Sequence, residues 1–178
     1  PSQAVQQPAG KLFLSQVCTA WEGALSAFGS DGPRLVIGRA GMVLAEDAPA
    51  WEKFVNPIRF GLGGAFGSGQ QWWSWIDADD LAQAILGLLD DANATGVHNL
   101  CSPEPVRQLE LCRAVGKRLS RPVLARMPAI ALRALAGKVA DELLLASCRA
   151  VPKRLLERGF HFERPSVQSA RDKYLLPL

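Results

Sequence analysis

Three features of the sequence predict an α/β fold. An amphipathic helix leads into a short apolar segment, a strand–helix–strand run follows, and the last third turns Ala/Leu-rich and helical. The helix runs from about Leu12 to Phe28. Leu14, Val17, Cys18, Trp21, Leu25 and Phe28 recur at three- and four-residue spacing, so one stripe is expected to be buried. Gly29 to Pro33 stops it. Arg34-Leu-Val-Ile-Gly-Arg39 then reads as a strand buried on both faces. A helix followed by such a strand is half of an α/β unit.

From Gly41 to Gly69 the pattern is irregular, around a short helix expected at Trp51–Ile58. Gly61, Gly63, Gly64, Gly67 and Gly69 allow sharp bends or a close approach to another group. Gln70-Gln-Trp-Trp-Ser-Trp-Ile76 reads as a strand. Its alternation puts Gln71, Trp73 and Trp75 on one face, with Trp72, Ser74 and Ile76 on the other. Asp77 or Asp79 caps the next helix, whose stripe is Leu81, Ala84, Ile85, Leu88 and Leu89. Val97 to Cys101 is a second short strand, and Pro103 to Leu119 a helix starting near Glu104–Pro105. Val123 to Met127 forms a further short strand. Pro128 to Leu145 is helical and broken near Gly137. Pro152 opens a helix ended by Gly159, and Pro165 begins a last amphipathic stretch to Tyr174.

At 178 residues the chain fits one domain, or one with an appendage. Its 48% hydrophobic and 21% charged residues supply enough apolar surface to exclude a disordered chain. No window approaches the ~18 consecutive apolar residues of a membrane span, and no signal peptide is visible, so the cytoplasm is expected. The chain begins Pro1-Ser-Gln and reads as the cut end of something longer.

Cys18, Cys101, Cys112 and Cys148 show no Cys-x-x-Cys spacing, and only His98 and His161 could join them as ligands, so no metal site is expected. Charge is uneven, −5 over residues 1–103 and +8 over residues 104–178. That asymmetry suits an anionic ligand or partner. Arg107, Arg113, Lys117 and Arg118 fall on the solvated face of a predicted helix, with no aromatic residues interleaved, so nucleic acid is not expected.

Four segments, taken in order, carry a resemblance. They are Phe13-Leu-Ser-Gln-Val-Cys-Thr-Ala-Trp-Glu22, Arg39-Ala-Gly-Met-Val-Leu44, Gly67-Ser-Gly-Gln-Gln-Trp-Trp-Ser-Trp-Ile-Asp-Ala-Asp-Asp80, and Ala140-Asp-Glu-Leu-Leu-Leu145 leading to Pro152-Lys-Arg-Leu-Leu-Glu-Arg-Gly-Phe160. Together they resemble the epimerase-like branch of the extended short-chain dehydrogenase/reductases. The last segment resembles the uncharacterised C-terminal domain of that branch.

The resemblance implies the C-terminal part of a Rossmann-type doubly wound sheet plus a mainly helical, substrate-side subdomain. Residues 1–103 would be the remnant of the NAD(P)-binding domain with substrate loops, and residues 104–178 the helical C-terminal domain. It implies NAD(P) as cofactor of the full-length protein, a nucleotide or nucleotide sugar as substrate, and a fragment inactive by itself. The Gly-rich turn that cradles a dinucleotide lies directly between a buried strand and a helix, and Gly61 to Gly69 are not so placed. A homodimer is expected, because a sheet without its first strands leaves an open edge.

The family's Tyr and Lys, four residues apart, would fall on Leu14 and Cys18, so no catalytic residue is assigned. A regulatory or binding module that has lost this pair is the alternative. Relatives often show His where Asp77 stands, and capping is its expected role here. On the cofactor side the resemblance points to Gly41, Met42 and Val43 bringing backbone amides toward a nicotinamide. Arg39, at a strand end where ligands gather, pairs with either a phosphate or a carboxylate. On the substrate side stand Arg59, in the loop that contacts a diphosphate, and the face carrying Gln71, Trp73 and Trp75. Of Trp72, Trp73 and Trp75, two are expected in the core and one in a pocket. Asp141 and Glu142 are adjacent on a helix, point about 100° apart and are read as structural charges.

Overall fold

The computed structural model describes residues 13–28, 32–45, 48–137 and 140–174. The lead-in read over residues 1–10 and most of the Gly29–Pro33 stop lie outside them. Helix α1 (Phe13–Ala24) continues as a 3₁₀ turn over Leu25–Phe28. Strand β1 (Val36–Ala40) passes through Gly41 into β2 (Met42–Leu44), followed by α2 (Pro49–Arg59) and β3 (Gly64–Phe66). Then come β4 (Trp72–Trp73), β5 (Trp75–Asp77), α3 (Ala78–Asp90) and β6 (Gly96–Leu100). The remainder is β7 (Val106–Arg107), α4 (Gln108–Arg118), β8 (Ala125–Met127), α5 (Ala129–Ala136), a π-helical turn over Ala140–Leu144, α6 (Lys153–Glu157) and α7 (Val167–Tyr174).

The sheet is built around one chain segment that changes partner. β1 pairs in parallel with β6, and β2 pairs in parallel with β5. The change happens at Gly41, whose amide donates to the Leu100 carbonyl while the Met42 amide donates to the Ser74 carbonyl. A side chain at Gly41 would place its Cβ 2.8 Å from the Ser74 carbonyl oxygen, so only glycine lets the three backbones converge.

Alternation along β2 and β5 then feeds two cores. Leu44 and Trp75 face one, with Trp51, Val55, Leu111 and Val115; Val43 and Ile76 face the other, with Ala84, Leu88 and Leu155. Helices thus cover both faces of β2 and β5, the layering of a doubly wound α/β fold.

Two expectations about burial are corrected. No described residue of α1 is buried, and Phe13 and Trp21 are 66% and 71% exposed. β1 is half-buried at Val36 and Ile37 and exposed from Gly38 to Ala40, not buried on both faces. Helical periodicity specifies an apolar face but not the layer that covers it. On α3 only part of the expected stripe is covered, since Ile85 and Leu89 are exposed while Ala84 and Leu88 are buried.

The run Gln70–Ile76 is also two strands and not one. β5 pairs with β2, whereas β4 pairs antiparallel with β7. That pairing takes Val106 and Arg107 from the expected helix, so α4 begins at Gln108. β3 pairs with β8 across 61 residues, and Gly64 sits where a Cβ would meet the Ala125 carbonyl at 1.7 Å. These two strand pairs, and the core shared by α2 and α4, join residues on both sides of position 103.

Two buried carboxylates secure the C-terminal segment. Asp77 is fully buried, and its Oδ1 accepts from the amides of Asp79 and Asp80 at 2.9 and 3.4 Å, capping α3 as expected. Asp80, 1% exposed, accepts from the amides of Glu163 and Arg164 at 2.8 and 3.0 Å. Arg164 and Lys173 supply the opposite charge to Asp77, at 3.3 and 3.7 Å.

Three outcomes follow for stability. Asp80→Ala strands two part-buried amides beside a buried site and is expected to cost about 3 kcal/mol in urea unfolding, with Asp80→Asn intermediate. An Asp80→Ala variant as stable as the parent would refute this account of the latch. Gly41→Ala is expected to destabilise by about 2 kcal/mol because the obstructing atom is backbone; a gain in stability would place the chain crossing elsewhere. His98 is fully buried on β6, and burial, with Arg154 nearby, holds its imidazole below the usual 6.5. Its neutral form belongs to the fold, so this contribution is complete above pH 6.5 and is lost as pH falls. Between pH 7 and 5, His98→Leu should flatten that part of the stability profile; an unchanged slope would assign it to other groups.

Candidate functional site

In open α/β sheets ligands gather beyond the carboxyl ends of the strands. Here β1 ends next to α1, and that proximity decides what Arg39 does. Its guanidinium holds Glu22 of α1 through two bonds, Nε to Oε1 at 2.7 Å and Nη2 to Oε2 at 2.6 Å. Of the two partners open to Arg39, the structure therefore supplies the carboxylate. The Arg39 hydrogen bonds hold the Glu22 carboxyl below its usual value, and Glu22 raises Arg39 in turn. Cys18 is close enough to Arg39 to act on it electrostatically.

The other end of α1 is held by Glu142, whose two carboxylate oxygens accept from the amides of Phe13 and Leu14 at 3.1 and 2.7 Å. A carboxylate there answers both the free amides and the positive end of the helix. Asp141 turns instead to Arg133, at 2.8 to 3.1 Å, and that pair lowers the Asp141 carboxyl. The adjacent carboxylates thus serve separate contacts, as their angular separation predicts.

Two of the three backbone amides expected to face a cofactor have partners within the sheet. Those of Gly41 and Met42 are committed to the carbonyls of Leu100 and Ser74. Met42 and Val43 are half-buried in β2.

The substrate-side residues separate in the structure. Arg59 lies in the last turn of α2, exposed, rather than in a loop. Gln71 is buried and gives both amide hydrogens to backbone carbonyls, those of Phe66 at 3.1 Å and Leu144 at 2.9 Å. Trp75 is fully buried, its indole N–H donating to the Glu104 carbonyl at 2.9 Å. Trp73 packs on Phe54 and Phe66, with ring centroids at 5.6 and 6.0 Å. Its buried indole nitrogen has no hydrogen-bond partner among the described residues.

Trp72 is half-buried and flanked by two guanidinium groups. The Arg107 guanidinium lies 3.9 Å from its ring centroid and that of Arg149 lies 4.8 Å away. Arg107 is therefore in β7 against an indole, not on the solvated face of a helix. Nothing local to Arg149 or Glu142 in the sequence announces their contacts, which join residues 77 and 128 positions apart in a chain folded by the core.

The two buried thiols are not poised as nucleophiles. Burial pushes the Cys101 and Cys112 thiols up to about 12, with Cys148 adding to the rise at Cys101. Such thiols stay protonated. Among the described residues no three His, Cys, Asp or Glu side chains gather as metal ligands, and no helix is long and apolar enough to cross a membrane.

Residues 127–172 match the family model described as a domain of unknown function, DUF1731. Over 162 residues the chain is 37% identical to an epimerase family protein of Mycobacterium leprae, covering 91% of this chain and 53% of that protein. A chloroplastic epimerase family protein SDR39U1 homolog of Arabidopsis thaliana is 39% identical over 163 residues, covering 92% and 46%. The chain spans about half the length of these relatives. The crystal structure of human epimerase family protein SDR39U1 (isoform 2) with NADPH superposes with a TM-score of 0.83 at 29% identity, covering 92% of this chain and 55% of that one. The chain belongs to this epimerase family, within the extended short-chain dehydrogenase/reductases, and corresponds to the C-terminal portion of its Rossmann-type architecture.

Proposed function

We propose that this chain is the substrate-side portion of an NAD(P)-dependent, nucleotide-sugar epimerase- or dehydratase-like protein of the cytoplasm. The observation that carries the reading is the superposition on an NADPH-bound relative across nine-tenths of the chain. Bound NAD(P) would supply hydride transfer. Of the chain's own residues, Met42 and Val43 would line the cofactor side, and Gly41 would serve it by keeping the strands convergent. Arg39 is the cation at that strand end, and it reaches a phosphate only by releasing Glu22.

On the substrate side, Trp73 offers an indole N–H whose burial without an acceptor is costly, so a ligand acceptor there is favoured. Arg59 is the exposed cation for a diphosphate. Gln71 and Trp75 shape the wall, because their polar hydrogens are already taken. We further propose that the 178-residue chain has no turnover by itself. Its described residues include no Gly-rich strand–turn–helix cradle, and Leu14 and Cys18 stand where the family's Tyr and Lys are expected.

A second reading, a binding or regulatory module without catalysis, is favoured by those same two positions. The Leu14 amide is occupied by Glu142, and leucine has no proton to transfer. A homodimer accompanies either reading.

Calorimetric titration of the full-length protein with NADPH tests the first reading. Saturable binding below about 1 mM is expected, and a flat titration at millimolar cofactor would refute it. If the cofactor binds, turnover of a UDP-sugar or reduction of a carbonyl would exclude the non-catalytic module.

A further inference from the structure

We propose that the cavity between α2, the β3–β8 pair and α5 binds a small apolar carboxylate, of the size and shape of a medium-chain fatty acid. This goes beyond the reading above, since the occupant is neither a dinucleotide nor a sugar.

The cavity measures about 330 Å³, at the lower end of small-molecule sites. Phe54 and Ile58 of α2, Phe66 of β3 and Leu132 of α5 form its walls. The polar atoms nearest the wall are already used. The Cys112 thiol donates to the Gly64 carbonyl at 3.2 Å, and the Gln108 side chain donates to that carbonyl and accepts from the Phe66 amide. A sugar placed here would lose water from its hydroxyls without replacement, at about 1–3 kcal/mol for each group. An alkyl or aryl chain carries no such cost.

The rim carries the opposite message. Lys53 on α2 and Arg126 on β8 line the cavity from different elements, and both are exposed. Neither has an ion pair among the described residues, and no described carboxylate lines the cavity. Two cations at the mouth of an apolar cleft select an anion whose charged end stays at the surface while its chain enters. A monocarboxylate of roughly ten non-hydrogen atoms fits that division and that volume.

The test uses the 178-residue chain with octanoate, 1-octanol and octylamine as probes of one length and three charges. Tryptophan emission is the readout, because Trp51 and Trp73 both pack on Phe54. Octanoate is expected to saturate the change, binding at least fivefold more tightly than octanol, with octylamine weakest. K53A/R126A alters only exposed side chains and should reduce that preference to less than twofold with an unchanged urea midpoint. Met127→Trp, filling the cavity from its half-open side, should abolish binding in a protein that still unfolds cooperatively.

Equal affinity for all three probes would overturn the proposal, as would retention of octanoate by the folded Met127→Trp variant. No saturation by octanoate at roughly 10 mM would do the same. Competition from UDP-glucose would overturn it too, by assigning the cavity to the nucleotide sugar. The NADPH titration is independent of all these outcomes, so the two readings fail separately.

Discussion

The acid pair at the start of α3 is the constraint on which the rest depends. Asp77 ends β5 and caps α3, while Asp80, one turn on, receives the amides of Glu163 and Arg164. Buried carboxylates are tolerable only where donors surround them, and here backbone amides do so with Arg164 and Lys173. The result ties a sheet strand, its helix and the C-terminal segment at one place. From there the segment sends Phe162 into the core on one face of β2 and β5, and Val167 and Ala170 into the core on the other. The C-terminal segment is thereby fastened over both faces.

Gly41 sets the second condition. Because the chain changes partner there, β2 and β5 are covered on both sides while β1 and α1 are not. The exposed apolar residues of α1 and the half-open β1 therefore belong to the same side of the molecule as the Arg39–Glu22 pair. Membership of a family whose members are about twice as long gives that open side a physical context, since a doubly wound sheet is covered by layers from both halves.

The distribution of satisfied and unsatisfied polar groups separates scaffold from site. Gln71, Gln108 and Trp75 have spent their donors on backbone carbonyls, so they hold the Gly-rich turn and β7 in place. Trp73 has not, and Arg59, Lys53 and Arg126 stand without ion pairs among the described residues. Binding capacity therefore lies in the aromatic and cationic groups around α2 and β3, and less in the buried Cys101 and Cys112 or the paired Asp141, whose chemistry is suppressed by burial or pairing.

Local chemistry made much of this legible in the sequence. The helix registers, the Asp77 cap, the break near Gly137, the separation of Asp141 from Glu142 and the family itself follow from spacing, capping residues and motif order, which need only near neighbours along the chain. What tertiary structure alone decided is which faces are covered and which donors are taken. The stripe of α1 is periodic yet exposed, the Gln70–Ile76 run is divided between two partners, and the Gly41 and Met42 amides go to the sheet rather than to a ligand. The reason is that burial and hydrogen-bond occupancy belong to pairs of segments. Glu142 with Leu14, Arg149 with Trp72 and Asp80 with Glu163 meet only because the core brings distant backbone together, and no local pattern encodes the distance between them.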